Sequence, residues 1–129
     1  MPAEVHPSLI ALARRGPSDP AALKQLVAAA GVALPDEYLA FLAISDGGEG
    51  DVGDRWFEFW PVGRVLEELE GGPHYEGVVL FAGDGANTVY GFNRDDNVVE
   101  GDWIGLNRDE LIEHGTLIRL VEGVARGQA

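Results

Sequence analysis

The chain has 129 residues, 46% of them apolar, and a mean hydropathy near zero, the profile of one globular domain with a real core. It has no cysteine, which excludes a disulfide scaffold, a thiolate metal site and a cysteine nucleophile. Its 22 acidic and 9 basic residues leave a net charge of −13, a field that repels nucleic acid and anionic membrane and attracts a basic protein.

The charge is uneven. Between Asp36 and Glu113 stand 19 acidic and 4 basic residues, a net of −15, while each flank contributes +1. An acidic surface also serves solubility, so the skew alone does not define a binding face. The opening residues, Met1 to His6, lack the basic region and apolar run of a signal peptide, and no apolar stretch is long enough to span a bilayer. The expectation is a cytoplasmic protein, a monomer or weak dimer.

In chain order, Pro7 to Arg15 reads as a short helix with Leu9, Leu12 and Ala13 on one side and two arginines at its C-terminal end, closed by Gly16. Ser18 or Asp19 can cap a second helix with Pro20 in its first turn, and Leu23, Leu26, Val27 and Ala30 form its inward stripe before Gly31. A third begins at Pro35, with Asp36 and Glu37 near the positive end of its dipole and Leu34, Tyr38, Phe41 and Leu42 on one face. It should stop at Asp46-Gly47-Gly48, followed by a glycine-rich acidic loop through Asp54.

The period then changes. Arg55 to Trp60 is aromatic-rich and predicts a strand, with Phe57 and Phe59 facing one way and Trp56, Glu58 and Trp60 the other. Val62 to Glu70 reads as an amphipathic helix with Val62, Val65, Leu66 and Leu69 inward. Val78 to Ala82 is a continuous apolar run, as expected of a central strand covered on both faces, and turns at Gly83-Asp84-Gly85 and at 94–97 lead into strands at Thr88 to Phe92 and Val98 to Glu100. Trp103 to Leu106 can extend the sheet, Asn107 can cap a helical turn through Ile112, and Thr116 can cap a last helix carrying Leu117, Leu120, Val121 and Val124 on one face. The order predicts an α+β domain, a mostly antiparallel sheet of about four to six strands with helices packed on one face.

Residues for catalysis are sparse. His6, His74 and His114 lie in separate segments without ligand spacing and read as surface residues. Ser8, Ser18 and Ser45 are the only serines, and none stands in a nucleophile elbow; Ser45 fits packing or a bond at a helix end. The Gly83-Asp84-Gly85 turn joins two strands, so no helix dipole is aimed at a phosphate. The acidic loop Asp46, Glu49, Asp51 and Asp54 is the most metal-like feature but fails the EF-hand spacing. The pairs Asp95-Asp96 and Glu67-Glu68 read as solvated carboxylates. The chain is therefore read as no enzyme, with no cofactor and no catalytic residue.

Leu34-Pro35-Asp36-Glu37-Tyr38-Leu39-Ala40-Phe41-Leu42, followed by Asp46-Gly47-Gly48-Glu49, resembles the signature of the SUKH superfamily, which includes fungal cell-wall synthesis regulators and bacterial toxin-immunity proteins. Phe59-Trp60-Pro61 leading into Val65, and Val79-Leu80-Phe81-Ala82-Gly83-Asp84-Gly85 before Tyr90-Gly91-Phe92, agree with it in order and spacing, so the resemblance covers roughly residues 23–124, with the first helix and the Gly50-Asp51-Val52-Gly53-Asp54 insertion outside it. It implies an α+β fold without shared catalytic residues and, for bacterial members, an immunity protein that neutralises a toxin, often a nuclease.

A protein-binding module follows as the functional expectation. Its basic protein partner, a toxin domain, would meet Asp46, Glu49, Asp51 and Asp54 with Trp56 and Glu58 beside them, and Asp95 and Asp96 as secondary contacts. A regulatory scaffold of the same fold without a toxin is the alternative, and behind both stands a calcium or small-molecule binder.

Overall fold

The structure, a computed structural model, describes residues 5–53, 55–71, 78–93, 97–102 and 112–125. Five helices, α1 (Pro7–Ile10), α2 (Pro20–Ala29), α3 (Asp36–Ile44), α4 (Val62–Gly71) and α5 (Leu117–Ala125), accompany one six-stranded sheet. Its strands are β1 (Gly48–Val52), β2 (Arg55–Phe59), β3 (Val79–Gly83), β4 (Thr88–Phe92), β5 (Val98–Asp102) and β6 (Ile112–Glu113), each antiparallel to the next in chain order. This is the α+β class that the sequence predicts, with the meander extended to both edges.

Local chemistry accounts for most helix starts. Asp19 caps α2 by accepting from the Ala21 amide at 3.1 Å, with Pro20 in the first turn. Thr116 accepts from the Arg119 amide at 3.3 Å at the head of α5. The helices form one connected layer, running α4 to α2 to α3 to α5 to α1, seated on the sheet through α4 against β3 and α5 against β1. Beneath it lies an aromatic core. Tyr38 and Phe41 of α3 meet Phe59, Phe81 and Phe92, and Phe81 stacks on Phe92 with ring centroids 3.9 Å apart. All five residues of β3 are buried, as its uninterrupted apolar run predicts.

Four expectations are corrected. The first helix ends at Ile10, not Arg15, because the chain beyond it is held by α3: the Arg15 amide donates to Ser45 Oγ at 3.2 Å, and Gly16 accepts from the Asp46 amide at 2.8 Å. In α2, Leu26 and Ala30 are buried but Val27 is 49% exposed, so the inward stripe is narrower than the periodicity implies. Ile112 is paired in β6 opposite Glu100 and is 56% exposed, and so does not close a helix. The glycine-rich acidic segment is no loop from Gly48 to Val52: it is edge strand β1, paired residue for residue with β2.

The glycines explain how such a sequence serves as a strand. A Cβ at Gly48 would collide with the Leu12 carbonyl, and one at Gly50 would meet a Leu12 methyl at 2.6 Å. Leu12, itself buried, thus lies directly against β1, an approach that only glycine permits. Gly47 supplies the preceding corner with φ of 81°, in the left-handed region.

Gly48→Ala is expected to lower the melting midpoint sharply, since backbone must shift to admit the methyl. Gly63→Ala, in α4 with open space around it, should raise stability by about 0.5–1 kcal/mol. Urea denaturation of the two variants checks both signs.

Candidate functional site

Register decides which acidic residues meet. In the β1–β2 hairpin Glu49 lies opposite Glu58, and Asp51 opposite Trp56, and directly opposed residues share a face of the sheet. Four of the anticipated residues therefore stand together. Glu49 and Asp51 are exposed, Glu58 is half-buried, and Trp56 is 43% exposed. Asp54, Asp95 and Asp96 fall outside the described residues, as do His74 and the Trp103 to Leu106 segment.

Trp56 and Trp60 thus separate where the sequence leaves them alike. Trp60 is only 2% exposed and lies under the Arg64 guanidinium, whose carbon is 4.1 Å from the ring centroid. Arg64 also pairs with Glu58 at 3.4 Å, tying the end of β2 to α4. Trp56 has no such cover. It forms a wall of two depressions: a groove of about 450 Å³ shared with Arg14, Arg15, Glu49 and Asp51, and a hollow of about 400 Å³ shared with Arg55, Asp84, Tyr90 and Glu100.

Asp46 has a different role from its neighbours. Its Oδ1 accepts from the Val62 amide at 2.9 Å, satisfying the first N–H of α4, and from the Ser18 hydroxyl at 3.1 Å. That oxygen is committed inside the domain, so Asp46 is a joint between α2, α3 and α4 more than a free docking group. Ser45 does bond at the helix end as the sequence reading has it, donating to the Gly47 carbonyl at 2.5 Å. Tyr38, fully buried nearby, has its hydroxyl pKa pushed up by burial and then by the charge of Asp46, so it stays neutral.

A second cluster escapes sequence reasoning. Glu100 Oε1 lies 2.9 Å from His114 Nε2 and 3.4 Å from Arg55 Nη1, joining β5, β2 and the residue after β6. His114 is therefore no surface histidine: 14% of its side chain is exposed. The His114 hydrogen bond chiefly holds the Glu100 carboxyl below its ordinary range against the opposing effect of burial, with the charges of His114 and Arg55 adding. Burial, followed by the charge of Glu100, raises the neighbouring Tyr90 hydroxyl. The strand pairing Tyr90↔Glu100 generates this cluster, and no short motif announces it.

Asp84, also unanticipated as a site residue, organises the β3–β4 turn by accepting from the Ala86 and Thr88 amides at 2.9 and 3.2 Å. Among the described residues no three histidine, aspartate or glutamate side chains converge as a metal-ligand set, and no helix is long and apolar enough to cross a membrane. No protein-family model matches this chain, and neither does any curated protein sequence.

Two variants check these roles. Asp46→Ala should cost about 1–3 kcal/mol in chemical denaturation, because two donors lose a charged acceptor. The Glu100 pKa is depressed in the folded state, so its contribution is complete above the unfolded value near 4.5 and is lost as pH falls through the lower folded value. The stability gap between the parent and Glu100→Gln should accordingly be widest above the unfolded value and close as pH falls from there through the folded one, read from melting midpoints across pH.

Proposed function

We propose that this chain is a non-enzymatic protein-binding module of SUKH type, an immunity protein that neutralises a toxin by docking a basic surface against the β1–β2 hairpin. The observation that carries this reading is the hairpin register, which gathers Glu49, Asp51, Glu58 and the exposed Trp56 on one face.

The arrangement is costly to the fold. Glu49 faces Glu58 directly across the two strands, and like charges so placed destabilise a sheet. Arg64 relieves only one side of that repulsion. A half-exposed indole beside carboxylates is the composition of an interaction anchor, in which an aromatic supplies contact area and the charges supply rate and selectivity. The net −15 of residues 36–113 adds long-range attraction. A nuclease, whose substrate cleft is basic, is the toxin class that this charge fits.

The resemblance around Leu34 to Glu49 supports the same reading, and an α+β fold is what that resemblance implies. A regulatory scaffold of the same fold would use the same face toward a different basic partner.

The test is capture from native lysate at low salt, followed by titration of the purified retained protein. One basic protein should be held by the parent, at least tenfold more weakly by Trp56→Ala, and lost with Glu49→Lys, Asp51→Lys and Glu58→Lys combined, the variants melting as cooperatively as the parent. Inhibition of that protein's toxicity on co-expression would favour immunity over scaffold. Equal retention by parent and charge-reversed variant would overturn the docking face.

A further inference from the structure

Arg14 and Arg15 stand where the acidic reading does not anticipate them. The backbone that carries them is pinned, with the Arg15 amide on Ser45 Oγ, Gly16 accepting from Asp46, and Ser18 donating to the Leu42 carbonyl at 3.1 Å. This brings both exposed arginines into the lining of the 450 Å³ groove together with Glu49, Asp51 and Trp56. Opposite charges therefore share one groove. Yet among the described residues neither arginine forms an ion pair with Glu49 or Asp51 within 4.0 Å.

A groove lined by charges of both signs that do not pair with one another is bipolar. A wholly basic segment would gain at Glu49 and Asp51 but be repelled by Arg14 and Arg15. A segment with both signs satisfies both sets of charges. We infer that this groove takes an extended segment of the partner protein carrying a basic and an acidic side chain close together. The inference deepens the docking reading above and rests on it.

The chemistry assigns the orientation. The basic side chain lies against Trp56, its aliphatic stem on the indole and its charge toward Asp51 and Glu49. The acidic one meets Arg14 or Arg15, whose planar guanidinium matches a carboxylate through paired hydrogen bonds. In an extended segment side chains two residues apart share a face and lie about 6.5–7 Å from each other, which lets one strand reach both sets of charges. The backbone of Gly48 and Gly50 completes the lining of the groove.

The experiment uses two capped pentapeptides of equal length, Gly-Lys-Thr-Asp-Gly and Gly-Lys-Thr-Lys-Gly, titrated into the labelled protein at low salt. Binding is followed by NMR at the amides of Gly48–Val52 and at the Trp56 indole N–H, assigned with Trp56→Phe. The mixed-charge peptide should bind at least fivefold more tightly than the basic one. Arg14→Glu with Arg15→Glu should abolish that preference by weakening the first and strengthening the second, and Arg14→Gln with Arg15→Gln should shift it the same way should the reversal unfold the chain. Tighter binding of the basic peptide at these signals, or a preference that survives loss of the arginines, overturns the bipolar groove while leaving the acidic docking face standing. If neither peptide moves these signals, the groove is no docking site and the hairpin reading loses its nearest support as well.

Discussion

The Ser45-Asp46-Gly47-Gly48 corner, where α3 gives way to β1, is the constraint on which the candidate site depends. Asp46 binds the heads of two other segments through one oxygen, Gly47 takes a left-handed conformation, and Gly48 lets the Leu12 backbone lie against the strand. Each is a demand on residue type: a carboxylate for two donors, and glycine where a Cβ has no room. Together they aim β1 along β2 in one register. Because side chains alternate along a strand, a slip of one residue would send Glu49 and Asp51 to the other face and part them from Trp56.

The same corner assembles the groove. By holding the chain at Arg15 and Gly16, it draws a basic pair from the N-terminal flank to the edge of an acidic hairpin. The face is thus acidic in its long-range field and mixed in sign at close range. Such a division suits a binder: net charge speeds the encounter, and local pattern rejects partners that match only the net charge. Arg55 and Arg64 are already engaged by Glu100 and Glu58, whereas Arg14 and Arg15 are the cations that line the groove among the described residues.

Much of the fold was legible in the sequence because its signals are local. Asp19-Pro20 marks the start of α2, the repeat of Leu117, Leu120, Val121 and Val124 marks α5, and the run from Val79 to Ala82 marks a strand buried on both faces. Less of the site was legible. β1 reads as a loop because Gly-Glu-Gly-Asp has little intrinsic preference for a strand, and only its partner makes it one. The early end of α1 follows from hydrogen bonds to residues about thirty positions away, which no helical periodicity can contain. His114 looks solitary until β6 lies beside β5 and brings it to Glu100.

Composition, charge and periodicity by themselves determined the class of this chain: an acidic α+β fold without thiol chemistry, with Glu49, Asp51, Trp56 and Glu58 among its candidate contacts. Tertiary structure alone decided which of these act together. It exposed Trp56 and buried Trp60, turned Asp46 inward, and set two arginines against the acidic hairpin. The physical reason is range. A helix cap or an apolar stripe is written in residues a few positions apart, whereas strand register and burial depend on contacts between segments whose distance along the chain says nothing about their distance in space.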